Sequence, residues 1–175
     1  MLFRSINDLG RDIVWPVNLL SPSGTSMLIR DTTDHASPLA VERFNAGFRL
    51  PLLMSASGRV YLAFCQPEHR DALLDILSRS TREEDKLARS RPEVEKILEE
   101  TRELGYATSV RTRRVSEEVA MSVPVLIGDR VLATIAVRFS ASAVPLRLAV
   151  ERFIPKLLDT ARVMRERFSD AHPAI

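Results

Sequence analysis

The sequence has little of what metal binding, disulfide cross-linking or acid–base catalysis needs. Its 175 residues include one cysteine, Cys65, which excludes an internal disulfide and fits a reducing compartment. The three histidines, His35, His69 and His172, form no zinc-ligand spacing with that cysteine. The sequence also contains neither a glycine-rich phosphate loop nor the nucleophile elbow of hydrolases. We therefore expect no enzyme activity, no metal and no other cofactor.

Long apolar runs and a large net charge are missing as well. No run approaches the roughly 18 apolar residues of a membrane span, and the start of the chain lacks the layout of a signal peptide. We therefore expect a cytoplasmic protein that does not contact a membrane. Lysine and arginine number 25 against 23 aspartate and glutamate residues, a formal net charge of +2. The tightest basic group, formed by Arg111, Arg113 and Arg114, is typical of a solvated loop rather than of a nucleic-acid interface.

What remains is the composition of one compact domain. Hydrophobic residues make up 45% of the chain and charged residues 27%, which is ordinary for a globular protein. A chain of this length buries one core and is too short for two ordinary domains and a linker. We therefore expect a single domain over residues 1–175, with no helix-turn-helix ahead of the first strand.

Hydrophobic spacing predicts an alternation of helices and strands. The pattern begins with an amphipathic helix over residues 2–13. Strands are predicted over 14–20, 27–32 and 39–52 (with a break near Gly47), then 106–112, 119–127 and 131–139. Helices are predicted after Ser55, over 68–77 and 92–105, and from Pro145 onward with a kink or restart at Pro155. Six strands split three and three around a helical block indicate an α+β fold, a six-stranded antiparallel sheet with flanking helices as in profilin-like and GAF-like sensors.

Residues 49–64, RLPLLMSASGRVYLAF, are the most informative segment, because a strand runs through small residues directly into a helix. Ser55 is a good N-cap, since its hydroxyl can accept a hydrogen bond from an amide of the first turn. The side chains of Ala56, Ser57 and Gly58 are so small that a carboxylate or phosphate could reach the helix-start amides. A plain capped turn without a ligand explains the same residues.

The last two predicted strands have one bulky face and one face of small or polar residues. Ala120 and Ser122 share the small face of the first strand, and Ala136 lies on the small face of the second. A three-residue loop over 128–130 would place Ser122 opposite Ala136 and Ala120 opposite Arg138, which is the register we expect. A two-residue turn would instead place Met121 opposite Ala136. Such a lane of small side chains leaves room that a covering element or a ligand must fill.

Arg138 points onto this small face at the end of an otherwise apolar strand. Its guanidinium would be costly to bury alone and matches a carboxylate through two parallel hydrogen bonds. The alternative is an arginine that reaches solvent or pairs with a nearby acidic residue. Proline at position 124 cannot donate to the strand ladder, so a bulge or an edge position is expected there.

Several of these segments together resemble the effector-binding domain of IclR-type bacterial transcriptional regulators. The resemblance rests on Arg49-Leu50-Pro51-Leu52, Ser55-Ala56-Ser57-Gly58-Arg59, Leu62-Ala63-Phe64, Gly105-Tyr106, Val123-Pro124-Val125, residues 133–139 and the long closing helix. Three further segments resemble the branch that controls degradation of hydroxyphenylpropionate, cinnamate and related aromatic acids: Trp15-Pro16-Val17, Ile29-Arg30-Asp31-Thr32-Thr33 and Ala63-Phe64-Cys65.

The resemblance implies an effector cavity and an oligomer. Its lining would include the positions Leu39, Ala56, Ser57, Thr108, Ala120, Ala136 and Arg138. Several of these are small or apolar where other family members have polar residues, which implies an effector bulkier and more aromatic than a small keto acid. We expect an aromatic carboxylic acid between the sheet and the Ser55 helix, its carboxylate meeting the amides of residues 56–58 and Arg138. The resemblance also implies a homodimer or homotetramer, and DNA contact only through a winged helix-turn-helix domain outside this chain.

Two other functions stay open from the residues alone. A free-standing GAF-like sensor of a partner enzyme would share the fold and the pocket. A small hydrolase or isomerase using Ser57 or Asp31 is the second alternative, although neither a histidine nor a lysine lies near Ser57 in the sequence.

Overall fold

A computed structural model describes residues 2–112 and 117–171, with the backbone only for residues 2–4. The predicted α+β fold is confirmed. The elements in chain order are α1 (Leu2–Ile13), β1 (Val17–Ser23), β2 (Ser26–Thr32), β3 (Arg49–Pro51), α2 (Ala56–Phe64), α3 (Pro67–Ser78), a 3-10 helix (Glu83–Arg89), α4 (Arg91–Leu104), β4 (Ala107–Thr112), β5 (Glu117–Ile127), β6 (Arg130–Ser140) and α5 (Leu146–Ala171). Arg113, Arg114 and His172 lie outside the described residues.

The strands form one antiparallel sheet in the order β3-β2-β1-β6-β5-β4. Its bulky face packs against α1 and α5, where Met121, Val137 and Phe139 are buried together with Ile6 and Phe153. Helix α2 lies on the opposite face, against β5 and β6, and α4 packs on α2. No helix in the described part of the chain is long and apolar enough to cross a membrane.

The register of the β5–β6 hairpin is confirmed, but its predicted loop length is wrong. Ser122 pairs with Ala136, and Ala120 pairs with Arg138. Ile127 and Arg130 also pair, so the turn has two residues, Gly128 and Asp129. An irregularity between Val125 and Leu126 shifts the register and restores the expected pairing. A bulge next to Pro124, which the missing proline N–H favours, therefore has the same effect as a longer loop.

Three predicted boundaries are wrong. The strand expected over 39–52 is reduced to β3, because residues 33–48 form an irregular loop that crosses the sheet. The first strand begins at Val17 rather than at residue 14, since Val14 has a φ of 70° and ends α1. The first strand also continues to Ser23, beyond its predicted end at residue 20. Pro155 lies inside α5, which continues to Ala171, so of the kink or restart expected at Pro155 the restart does not occur.

Candidate functional site

Helix α2 begins as its sequence predicts, at an N-cap serine. The Gly58 amide donates to Ser55 Oγ at 3.1 Å, and Ser55 Oγ donates to the Pro51 carbonyl at 2.7 Å. The Ala56 amide donates to Ser109 Oγ, 3.1 Å away on β4. Two of the amides that were expected to meet a ligand are therefore paired within the protein, and an anion would have to displace these partners.

The small side chains at this helix start let the helix approach other protein atoms. A Cβ on Gly58 would lie 2.0 Å from the Leu52 carbonyl oxygen. The hydroxyls of Ser57 and Ser122 are 3.2 Å apart, and Ser122 Oγ also donates to the Ile135 carbonyl at 3.1 Å. The open space expected above the small lane is thus filled by α2 itself, since small residues on both surfaces permit close packing.

Arg138 lies beyond this packed region, toward the end of β6, and points inward. The residue is only 5% exposed. Its Nε donates to Asn18 Oδ1 at 3.2 Å and its Nη1 to Glu118 Oε2 at 3.1 Å. Its Nη2 forms an ion pair with Asp34 and donates to the Glu42 carbonyl at 3.1 Å. The guanidinium is therefore buried and paired with acidic groups. The sequence predicted that Arg138 points onto the small face, and the alternative interpretation included pairing with acidic residues.

The loop of residues 33–48 supplies two of these four partners, Asp34 and the Glu42 carbonyl. Asp34 is fully buried, and its Oδ1 accepts from Asn18 Nδ2 at 3.1 Å and from Thr32 Oγ1 at 2.6 Å. Its Oδ2 accepts from the Phe44 amide at 2.6 Å as well as from Arg138. The Phe44 ring also covers the guanidinium, whose carbon is 4.3 Å from the ring centroid. We call these five residues, Asn18, Asp34, Phe44, Glu118 and Arg138, the Arg138 cluster.

A narrow crevice opens beside the cluster at the edge of the loop. It is lined by Trp15, Pro16, Leu39, Val41, Glu118, Arg138, Phe139 and Ser140, and its volume of about 10 Å³ holds about one water molecule. Leu39 is 40% exposed and Val41 is 71% exposed on its outer side. An aromatic ring would enter only if the loop moved outward, because the apolar walls already lie close together.

Thr108 does not join the other predicted site residues. It pairs with Met121 and so shares the bulky face of the sheet, whereas its neighbour Ser109 pairs with Ala120 on the lane side. The Thr108 carbonyl accepts from Arg59 Nη1 at 3.1 Å, which ties β4 to α2. Burial lowers the pKa of Arg59 from its usual value. The register of β4 thus places odd-numbered residues such as Ser109 toward α2 and Thr108 toward the opposite face, while a role of Thr108 in lining an effector cavity stays a prediction.

The remaining predicted residues fall into two neighbouring groups. Ser55, Ala56, Ser57, Gly58, Ala120, Ser122 and Ala136 form the contact between α2 and the sheet. Leu39 and Arg138 lie together at the crevice, and Arg138 is the cross-strand neighbour of Ala120. The two groups therefore lie side by side on one face of the sheet. The amides at the start of α2 and the Arg138 guanidinium nevertheless have different hydrogen-bond partners. The roles of these residues in binding an effector stay predictions.

Sequence reasoning missed Asn18, Asp34, Phe44 and Glu118. Asn18 carried a signal, since it is a polar residue between the apolar Val17 and Leu19 of a buried strand. Asp34 and Phe44 carried none, because they lie in an irregular loop without hydrophobic periodicity.

The residues of the hydrolase alternative are not brought together. His35 Nε2 lies 2.8 Å from Asn45 Oδ1, and Asp31 Oδ1 accepts from the Thr32 amide at 2.8 Å. The Ser57 hydroxyl contacts that of Ser122. In the described part of the chain, no group of three histidine, cysteine, aspartate or glutamate side chains could hold a metal ion.

A family model described as the C-terminal domain of the bacterial transcriptional regulator IclR matches residues 8–165. The chain belongs to this family. As an IclR C-terminal domain, it is the effector-binding part of a transcriptional regulator, and its family and the solved structures similar to it are regulators rather than enzymes.

Solved structures of three such regulators resemble the chain. The PobR inducer-binding domain from Acinetobacter, a double mutant in complex with 3-hydroxybenzoic acid, has a TM-score of 0.75 at 18% identity, covering 93% of this chain and 94% of that one. The C-terminal domain of Escherichia coli KdgR has a TM-score of 0.72 at 20% identity, covering 92% and 94%. IclR of Thermotoga maritima has a TM-score of 0.76 at 16% identity, covering 94% of this chain and 65% of that one. At these identities the likeness establishes the fold.

Proposed function

We propose that this IclR-type domain senses an aromatic carboxylic acid, which binds at the Arg138 cluster beneath the loop of residues 33–48. The observation that carries the proposal is a buried guanidinium next to aromatic and aliphatic side chains. Arg138 would bind the carboxylate, while Trp15, Leu39 and Val41 at the crevice would contact the ring. The PobR domain, which has the same fold, was crystallised with 3-hydroxybenzoic acid, and that aromatic acid agrees in chemistry with the proposal.

An incoming carboxylate must exchange with a carboxylate of the protein, because the Arg138 donors are occupied. Asp34 is the poorer candidate for displacement, since it accepts from Asn18, Thr32 and the Phe44 amide as well. Glu118 is the better candidate, because it borders the crevice and its side chain is 14% exposed. We therefore propose that the acid takes the place of Glu118 on Nη1 and that the loop moves outward to admit the ring.

Binding can regulate only if the acid prefers one conformation of the protein. We propose that the loop adopts two conformations, the one described, which is closed over Arg138, and one displaced by the acid. We propose that this difference modulates DNA binding by a domain outside this chain.

Intrinsic fluorescence tests the proposal, because Trp15 is the sole tryptophan and lines the crevice. Benzoate and 3-hydroxybenzoate should change its emission and raise the melting temperature, while benzyl alcohol, which lacks the charge, should do neither at the same concentration. At about 100 times its dissociation constant an acid should add roughly 2.7 kcal/mol to the free energy of unfolding. Equal effects of benzoate and benzyl alcohol would contradict a role for Arg138.

A charge-neutral variant sharpens the test. Glu118→Gln keeps an acceptor for Arg138 but removes the charge that competes with the acid, so benzoate should bind several-fold more tightly. Glu117→Gln is the matched control, since Glu117 is the exposed neighbour on the other face of β5 and should leave the affinity unchanged. Unchanged or weaker binding by Glu118→Gln would show that the acid binds elsewhere.

A further inference from the structure

The residue directly after helix α1 is a valine in a strained backbone conformation. Val14 has a φ of 70°, and it is the only non-glycine residue with positive φ in the described part of the chain. A β-branched side chain strongly disfavours this left-handed region, where helix ends usually have glycine. The Val14 amide still donates to the Gly10 carbonyl at 2.8 Å, which completes the last turn of α1. Such strain persists only where the surrounding structure holds it.

The loop of residues 33–48 provides the contact that holds Val14. Ser37 Oγ donates to the Val14 carbonyl at 2.6 Å, and the same oxygen accepts from the Leu39 amide at 3.2 Å. A Cβ added to Gly10 would lie 2.8 Å from the Thr33 methyl group, so the end of α1 fits closely against the start of the loop. A groove of about 300 Å³, lined by residues that include Arg11, Val14, Ala36 and Pro38, separates the rest of α1 from the loop.

A single turn joins this contact to the Arg138 cluster. The amides of Ala36 and Ser37 both donate to the Thr33 carbonyl, at 3.0 and 2.9 Å. Asp34, the buried partner of Arg138, lies inside that turn. A displacement of the turn at Asp34 therefore moves Ser37 as well, because two hydrogen bonds to the Thr33 carbonyl hold the five residues 33–37 together.

We propose that Ser37 and Val14 form a strained latch that transmits occupancy of the Arg138 cluster to helix α1. In the closed loop, Ser37 holds Val14 in the left-handed conformation. When the loop moves outward, Val14 loses this hydrogen bond, relaxes to negative φ and changes the direction of the last turn of α1. The inference rests on the proposed function, because an acid at Arg138 is what moves the loop. Val14 is the two-state element that both the loop and α1 bias.

The latch can be tested without any acid, by amide hydrogen exchange in α1 of the whole chain. Ser37→Ala should accelerate exchange of the amides of residues 11–14 by tenfold or more, while Ser142→Ala, a control at an exposed serine, should not. Adding Val14→Gly should reduce the acceleration to less than twofold, because glycine adopts positive φ without strain. Equal exchange in Ser37→Ala and wild type would overturn the latch.

Benzoate and 3-hydroxybenzoate then test transmission in the wild-type chain. Binding seen by Trp15 fluorescence should accelerate exchange at residues 11–14, and the Val14→Gly chain should bind the acid with a smaller acceleration. Binding without any change in α1 exchange would overturn the latch and leave the proposed function intact. No fluorescence change with either acid would instead contradict the proposed function, while the Ser37→Ala result decides the latch separately.

Discussion

The two halves of the sheet face that carries α2 are covered in different ways. Under α2 the contact consists of small side chains such as Ala56, Ser57 and Ser122, and the helix backbone comes close to other backbone atoms. Under the loop of residues 33–48 the contact consists of Arg138 with two carboxylates, an amide and an aromatic ring. A helix satisfies its own backbone and can lie on apolar atoms, whereas an irregular loop brings polar groups that need partners. The loop-covered half is therefore the half that can exchange one charged partner for another.

The largest effect should come from removing the charge at the centre of the loop-covered half. We expect Arg138→Ala to lower the free energy of unfolding by about 3 to 5 kcal/mol, because Asp34 would stay buried without its cation. Urea denaturation measures the change. Arg30→Ala, at an exposed arginine bound to Ser21 Oγ, serves as the control and should change stability by less than about 1 kcal/mol.

A double variant shows whether the loss comes from the pair. Asp34→Ala combined with Arg138→Ala should lose less than the sum of the two single variants. If the stability losses of the two single variants simply add up, the charges of Asp34 and Arg138 do not stabilise each other. The difference between the helix-covered and loop-covered halves would then not be electrostatic.

A smaller effect is expected in the helix-covered half. Gly58→Ala should destabilise the fold by about 3 kcal/mol, because the new Cβ would meet the Leu52 backbone, which cannot move like a flexible side chain. Ser57→Ala, one residue away, removes atoms instead of adding them and should lose only about 1 kcal/mol with its hydrogen bond to Ser122. Thermal melting compares the two variants. A fully stable Gly58→Ala protein would contradict the close approach of Gly58 to the Leu52 backbone.

The smallest effect should be a gain of stability. Thr134 is fully buried on the helix-covered half, and its hydroxyl has no hydrogen-bond partner among the described residues. Thr134→Val should therefore raise the free energy of unfolding by about 1 kcal/mol, since it removes an unpaired buried hydroxyl and keeps the shape.

The paired serine nearby is the matched comparison. Ser122→Ala should lower stability by about 1 kcal/mol, because the Ser122 hydroxyl has two partners. A loss of stability in Thr134→Val, measured in the same urea titration, would indicate that a buried water pairs with the hydroxyl.

The helix-covered half could be predicted from the sequence to a large extent. The small lane of Ala120, Ser122 and Ala136 followed from strand alternation, and the N-cap at Ser55 followed from its position before the helix. The purpose of the small residues could not be predicted, because close helix packing and an open cavity require the same residue types. Only the folded structure distinguishes the two, through contacts such as that between Ser57 and Ser122.

In the loop-covered half, strand alternation predicted only the inward direction of Arg138, and Leu39 was named through the family resemblance alone. The pairing of β4 with β5 could not be predicted, because no local pattern fixes it; Thr108 was named through the family resemblance, and the structure places its neighbour Ser109 toward α2. The strand predicted over 39–52 failed for a different reason. Glu42 and Phe44 are held by the side chains of Arg138 and Asp34, and backbone bonds to β2 begin only at Gly47 and Phe48.

By itself, the sequence determined the alternation that builds a six-stranded antiparallel sheet, the bulky and small faces of β5 and β6, and an arginine that points to the small face. These features depend on neighbours in the chain and on the two-residue period of a strand. The tertiary structure alone decided which groups neutralise Arg138, because Asp34 is 104 residues away in the chain and reaches it through an irregular loop. Local periodicity cannot encode such a contact, since it forms only when the folded sheet brings the two segments together.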